Sequence, residues 1–451
     1  MGSGPLLRRA AALLTLTIAA TAWSAEPALT IAPIRFTERV LPNGLQVIAV
    51  PSSASPTVSV QVWYHVGSKD DPSGRSGFAH LFEHLMFKTT AHLKSEQFDR
   101  MTEDVGGANN AFTSNDVTGY TDLVPSNHLE VLLWAEAERM SNLNVVQENF
   151  VSERAVVEEE YRERVLASPY GRFANAIPKA AYQVHPYKRP GIGRIEDLEA
   201  ATLADVVAFH ATYYRPDNAT LVVAGDFDPT QLDAWVDKYF ARVPRPATAL
   251  PRVTATEPAW TTGRRTTVTG PQVPLPAVAL VWLGPPTTSA DAPALQVAAA
   301  LLGSGESSRL NQALVYRQRV AGQASFNADL RAGPGLLTAT AIAASGRSPA
   351  VVEKALLAEV LQLARQPVGA AELAKVKTQI VTGALLTRQT PEGLASAVAE
   401  AAVLQGGAAT VNTDLTALQR VTAADVQRVM KRYVASTHRL ALHYVQEGAP
   451  K

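Results

Sequence analysis

The stretch Gly77-Phe-Ala-His80-Leu-Phe-Glu83-His84-Leu-Met-Phe87 decides how this chain is read. It reads as a helix. On a helix, positions four apart share a face, so the rings of His80 and His84 can reach one metal ion. Glu83 sits one residue before the second histidine, on the same side, where it would lie close to a water beside that ion. Two neutral nitrogens and one distant carboxylate make a three-ligand set with an open fourth position, which is the arrangement of a catalytic zinc site. The competing explanation is an exposed or capping pair on an ordinary helix. The chain has only nine histidines, so the pattern is uncommon by chance.

At 451 residues the chain exceeds a single typical core, and two or more domains are expected. Its 47% hydrophobic and 18% charged content are those of a soluble globular protein. Forty-one basic and 41 acidic residues cancel, so charge gives no reason to expect nucleic acid or an anionic membrane as a partner. The absence of cysteine excludes disulfides, cysteine-ligated zinc and a lipid-modified N-terminal cysteine.

The first residues read as a secretory signal. Arg8 and Arg9 form a positive region, Ala10 to Ala20 a short apolar core, and small residues follow, with cleavage after Ala22 or Ala25. The apolar run is short for a bilayer span, and an uncleaved anchor is the alternative. Residues 1–25 are therefore expected to be a signal peptide. A periplasmic protein with no membrane span after cleavage is the expectation.

Beyond the signal, β-like and helical patterns alternate. Leu45 to Val50, Thr57 to Val66 and Thr220 to Gly225 read as strands; Leu129 to Met140 and Gln147 to Leu166 read as helices. Proline recurs around Arg245 to Gly263 (Pro246, Pro251, Pro258), which reads as an extended, semi-rigid linker. The second half then echoes the first. Thr202-Leu-Ala-Asp205-Val206, followed by Tyr213 and a strand, recurs as Thr422-Ala-Ala-Asp425-Val426, followed by Tyr433 and a strand. A threonine N-cap opening a helix that feeds a strand explains each copy locally, and their shared spacing argues for duplication. The expected organisation is residues 26–245 as a zinc-bearing domain, 246–263 as linker and 264–451 as a related domain without the motif. His438 and His443 of the second half are five apart in a strand-like context and read as surface or packing residues, as do His65, His92, His128, His185 and His210.

A third ligand should come from another helix. Ser152-Glu153-Arg-Ala-Val-Val-Glu158-Glu159-Glu160 offers candidates. Glu153 and Glu160 are two helical turns apart and share a face. A solvated acidic helix with Glu–Arg pairs is the alternative for this stretch alone.

With these residues in place, the sequence is similar to the pitrilysin and mitochondrial-processing-peptidase family of inverted-motif (H-x-x-E-H) zinc metallopeptidases, in its bacterial processing-peptidase-like branch. Glu160 lies 76 residues after His84, the separation at which that family places its third ligand, and Glu153 matches a second family glutamate one heptad earlier. Phe87-Lys88-Thr-Thr90, Gly106-Gly107-Ala-Asn-Asn110-Ala111, Glu136-Ala-Glu-Arg139-Met140, Tyr214-Arg-Pro216-Asp-Asn218 and Val223-Ala-Gly225-Asp226 are also family-like. The likeness runs from Phe36 to Tyr444, strong in the first half and looser in the second.

The resemblance implies an α+β fold of two homologous domains, each an antiparallel-rich sheet with helices packed on one face, closing like a clam. It implies Zn2+ held by His80, His84 and Glu160, with Glu83 as general base and Glu153 steering Glu160 or a histidine. Gly106 to Ala111 would bring an edge strand beside the metal, with Asn110 and Ala111 pairing with an extended peptide.

The chain departs from the family at one place. Active single-chain and homodimeric members carry an arginine and, seven residues later, a tyrosine after a Ser-Arg-Leu stretch. Here Ser308-Arg309-Leu310 is present, but those positions fall on Val315 and Gly322. A rival register would pair Arg309 with Tyr316, at the cost of using the arginine of the Ser-Arg-Leu stretch for a different job. Neither valine nor glycine can donate a side-chain hydrogen bond to substrate. The expectation is a zinc endopeptidase acting on extended peptides, as the zinc-bearing subunit of a heterodimer whose homologous partner supplies the Arg/Tyr pair. The alternative is a non-catalytic scaffold or peptide-binding subunit of the same fold. A zinc-storage protein would favour His-rich tracts, which are missing.

Overall fold

The computed structural model describes residues 31–448; the expected signal peptide lies outside them. Its eleven strands are β1 (Thr37–Val40), β2 (Gln46–Pro51), β3 (Thr57–Tyr64), β4 (Ala108–Thr113), β5 (Thr118–Pro125), β6 (Ala219–Gly225), β7 (Arg264–Gly270), β8 (Ala277–Gly284), β9 (Ala321–Asp329), β10 (Gly335–Ala343) and β11 (Leu440–Gln446). The helices of the first half are α1 (Phe78–Leu85), α2 (Gln97–Glu103), α3 (Leu129–Asn142), α4 (Gln147–Tyr161), α5 (Gly171–Ala181), α6 (Ile195–Glu199), α7 (Leu203–Tyr213) and α8 (Pro229–Tyr239). Those of the second are α9 (Ala292–Gly303), α10 (Pro349–Arg365), α11 (Ala370–Thr387), α12 (Pro391–Leu404), α13 (Asp414–Arg420) and α14 (Ala423–Tyr433).

The strands form two sheets, in the orders β1-β2-β6-β3-β5-β4 and β7-β11-β8-β10-β9. Without the edge strand β1 the two orders correspond position for position. Each has a single parallel pair, β2 with β6 and β7 with β11, and is otherwise antiparallel. The sequence echo is part of this duplication. Thr202 and Thr422 each accept a hydrogen bond from the N–H of Asp205 or Asp425 and are bonded in return, so α7 and α14 open with the same capping box and lead into β6 and β11.

Both faces of the first sheet are buried. Val58, Val60, Val62 and Tyr64 of β3 share a core with Phe78, Leu81, Phe82 and Leu85 of α1, Leu132 and Leu133 of α3, and Phe209 of α7. The alternate residue Trp63 joins Val222 and Ala224 on the opposite face, against Ala395, Val398 and Ala399 of α12. Gln61, fully buried on that face, donates to Glu392 O (3.0 Å) and Ser396 Oγ (3.0 Å) and accepts from Trp63 Nε1 (3.0 Å). Its amide is thus satisfied by a helix more than 300 residues away, which removes the usual penalty for burying a polar group.

The second sheet repeats the device. Its own helices α10 and α14 contact β8. Phe173 and Ala181 of α5 pack with Ala279, Val281, Leu442 and Tyr444 in a single core. Each sheet therefore has helices of its own half on one face, as expected, and a helix given by the other half on the other, which the sequence did not indicate. The proline-rich stretch has no regular structure over residues 251–261. It is fastened by Glu257, whose carboxylate accepts the N–H groups of Gln183 (2.7 Å), Val184 (3.0 Å) and His185 (2.9 Å). Among the described residues no helix is long and apolar enough to cross a membrane.

Candidate metal centre

Helix α1 begins at Gly77, whose φ of +93° is left-handed. Glycine is required twice over there, because a Cβ would also lie 2.8 Å from Ile192 O. Asp71 caps the new helix from the preceding loop, accepting Gly77 N–H (2.7 Å) and Ala79 N–H (2.9 Å). The helix buries Phe78, Ala79, Leu81, Phe82 and Leu85. The remaining face carries His80, Glu83 and His84, half-buried toward α4 and β4.

Helix α4 supplies the carboxylates. Phe150, Glu153 and Val157 are its buried residues, and Glu160 continues the same stripe. His80 Nε2 and His84 Nε2 each lie 3.6 Å from Glu160 Oε2. Candidate ligand atoms of His80, His84 and Glu160 all lie within 4.8 Å of one another, and no other such group occurs among the described residues. Donors around a tetrahedral zinc ion stand about 3.4 Å apart at ordinary Zn–N and Zn–O lengths, so the three residues fit the ion without large movement. Glu153 Oε2 lies 3.5 Å from His84 Nδ1, and its other oxygen accepts Lys88 Nζ at 2.9 Å.

The electrostatics suit metal binding. Burial, then the neighbouring His84 and Arg164, push the His80 imidazole down to about 3, so it is neutral and free to donate a lone pair. Burial alone would lift Glu153, but hydrogen bonds from His84 and Lys88 outweigh it and hold the carboxyl below its ordinary value. Glu83 moves the other way. Burial raises its pKa against a hydrogen bond from Thr113, and Glu83 Oε2 is buried without a partner. A buried carboxylate of raised pKa, with one oxygen unpaired, is suited to accept and return a proton.

Strand β4 borders this centre as the free edge of the first sheet. Thr113 at its end reaches Ala79 O of α1 (3.4 Å). Asn110 and Ala111 lie farther along the same edge, Asn110 exposed and Ala111 half-buried. The Asn110 side chain occupies the Ala111 N–H (2.9 Å). In the second half, Arg309 is committed to Glu372 by two hydrogen bonds (2.8 and 2.7 Å), which leaves the Arg309–Tyr316 register without a free guanidinium. Val315 is half-buried and Gly322 exposed on β9. His443 bonds Glu353 (2.7 Å), and His438 lies ahead of β11 rather than in it. His92 pairs with Glu138 (2.9 Å). Two neighbours of the centre, Thr113 and Arg164, were not named from sequence, and Lys88 was named only within a family-like stretch. Lys88 and Arg164 stand four residues after His84 and Glu160, a helical spacing that could have marked them.

Comparison with known proteins agrees with this architecture. Residues 46–194 match the profile of the insulinase family, peptidase family M16, and residues 200–380 match the peptidase M16 inactive domain. The zinc protease PqqE of Helicobacter pylori is 36% identical over 344 residues, covering 75% of this chain and 76% of that protein. The probable mitochondrial-processing peptidase subunit beta of Arabidopsis thaliana is 25% identical over 403 residues, covering 87% and 75%. The crystal structure of a protease from Helicobacter pylori superposes with a TM-score of 0.88 at 30% identity, over 92% of this chain and 100% of that one. The duplicated sheets and the extent of these matches lead to one assignment: the chain belongs to peptidase family M16.

Proposed function

We propose that this chain is a zinc-dependent endopeptidase that hydrolyses extended peptides. The observation that carries this is the convergence of His80, His84 and Glu160 donor atoms within 4.8 Å, and the zinc protease among its relatives supports the choice of ion. His80 Nε2, His84 Nε2 and a Glu160 oxygen would hold zinc, which when bound supplies a Lewis acid that polarises a carbonyl and lowers the pKa of water.

The chain's own residues do the rest. Glu83 Oε2 takes a proton from the attacking water and hands it to the departing amine nitrogen as the C–N bond breaks. Its raised pKa makes it a stronger base than an ordinary carboxylate for taking up that proton. Glu153 keeps the His84 ring in place through Nδ1. The edge of β4 would take the peptide backbone as an added strand along Asn110 and Ala111 once the Asn110 side chain releases the Ala111 N–H, which favours extended substrates over folded ones.

Val315 and Gly322 offer no side-chain donor to the substrate, and loss of such a donor costs a hydrolase about a hundredfold or more in rate. A second, related chain would supply the Arg/Tyr pair, making this the zinc-bearing subunit of a heterodimer; a relative named as a subunit is consistent with that. The signal-like start of the sequence favours a periplasmic location. The same two residues favour the second reading, a peptide-binding scaffold without chemistry of its own.

Glu83→Gln separates the two. It should bind zinc as the parent does, because Glu83 is outside the ligand set. With its co-purified partner it should cleave an internally quenched peptide about a hundredfold more slowly or worse. Cleavage by the variant at the parental rate would exclude Glu83 as the base. A zinc-loaded, partnered parent that cleaves nothing would favour the scaffold.

A further inference from the structure

Each carboxylate that α4 turns toward the histidines is divided between imidazole and a cation. Glu160 Oε2 faces His80 Nε2 and His84 Nε2 at 3.6 Å, while Glu160 Oε1 lies 2.5 Å from Arg164 Nη1. Glu153 repeats the division, with Oε2 toward His84 Nδ1 (3.5 Å) and Oε1 on Lys88 Nζ (2.9 Å). In both, one oxygen is occupied by a cation and only the other is offered to an imidazole.

The backbone that presents Arg164 is built for the purpose. After Tyr161, α4 widens into a π-helical turn, Arg162–Ala167, which closes with Ser168 N–H donating to Glu163 O five residues back (3.1 Å). Such turns are uncommon and concentrate at functional sites. This one is clamped from behind. A Cβ on Gly171 would overlap Arg164 O and lie 2.6 Å from Val165 Cα. Val165 is buried, and Arg172 Nη1 donates to Leu166 O (2.7 Å). The Arg164 side chain is 71% exposed, so burial is not what keeps it at Glu160.

Two effects of Arg164 on a bound ion oppose each other. Its positive charge repels a dication, but solvent around so exposed a group screens that repulsion. Its hold on Oε1 fixes which oxygen Glu160 presents and in what direction, and loss of such an outer partner typically weakens metal binding about 10- to 100-fold. Orientation therefore wins over repulsion.

We propose that Arg164 is a positioning residue for Glu160: it holds the carboxylate by one oxygen so that the other is directed at His80 and His84 before an ion arrives. This rests on the assignment of Glu160 as a zinc ligand. The test is the zinc dissociation constant of the chain without its signal, measured by competition with a chromophoric chelator, for the parent, Arg164→Gln, Arg164→Lys and Arg162→Gln. Arg164→Gln should bind zinc about 10- to 100-fold more weakly. Arg164→Lys, which keeps a charged donor, should recover most of the loss. Arg162→Gln, whose arginine pairs with Glu158 and Glu159 instead, should match the parent. Thermal unfolding of the chelated variants should match the parent and so exclude a general loss of structure. A parent that binds no zinc defeats the ligand assignment itself. A parent that binds one ion while Arg164→Gln binds equally well or more tightly, or while Arg162→Gln loses as much as Arg164→Gln, overturns the positioning role and leaves the assignment standing.

Discussion

The start of α1 is set by two glycines that meet backbone to backbone, and alanine at either position should damage both the fold and the metal centre. Gly77 and Gly193 have φ of +93° and +83°. A Cβ on Gly77 would lie 2.8 Å from Ile192 O and 3.0 Å from Gly193 Cα. A Cβ on Gly193 would lie 2.5 Å from Gly77 Cα and overlap Ser76 O. An L-residue in the left-handed region costs about 1–2 kcal/mol, and forcing extra atoms into packed backbone costs about 1–3 kcal/mol. Gly77→Ala should therefore lose about 2–5 kcal/mol, with Gly193→Ala at the upper end. His80 is three residues past Gly77, so relief of the clash would displace a donor that now stands 3.6 Å from Glu160, and zinc affinity should fall with stability. Urea denaturation with a chelator present gives the first quantity, and zinc titration of the folded protein gives the second. The double variant should cost less than the sum of the singles, since one backbone shift relieves both contacts. A Gly193→Ala protein that loses less than about 1 kcal/mol and binds zinc like the parent would refute this account of how α1 is placed.

The three buried histidines should each cost stability in acid, opposed by Asp70 and Asp71, whose carboxyls burial raises to about 6 and about 7. Burial lowers His65 to about 4, His80 to about 3 and His210 to about 4, whereas an unfolded imidazole titrates near 6.5. At these three imidazoles the unfolded chain binds more protons between pH 6.5 and 4, so their contribution to stability is lost as pH falls through that window. His210→Phe, which keeps the stacking on Phe82 and Tyr214, should flatten the slope of urea midpoint against pH; an unchanged slope would contradict the assignment. Restoring the missing donors by Val315→Arg with Gly322→Tyr should raise kcat/KM of the chain assayed alone by about a hundredfold. A Cβ at Gly322 meets nothing within 4 Å, so the tyrosine has room. A folded, zinc-loaded double variant with no gain would count against a partner supplying those groups.

What could be read from sequence was local. The spacing of His80, Glu83 and His84 needs only the period of one helix, and the capping boxes at Thr202 and Thr422 need only four residues each. Glu160 depends on α1 and α4 lying side by side, which no local pattern encodes; family resemblance singled it out from its acidic neighbours. The exchange of α5 and α12 was not legible because α12 is alanine-rich, and its small residues do not name what they cover. Ser59 and Gln61 stand at alternate positions of β3 and, though polar, both are buried, with Gln61 satisfied by α12. Arg164 has the right spacing from Glu160, but the π-helical turn that carries it is enforced by Gly171 across a reversal of the chain.

Anomalous diffraction from a zinc-grown crystal of the chain, collected on either side of the zinc absorption edge, tests the central claim most directly. The expected result is one zinc peak bonded to His80 Nε2, His84 Nε2 and a Glu160 oxygen. A zinc-saturated crystal with no peak at those three side chains, or with its zinc held by other residues, would contradict it.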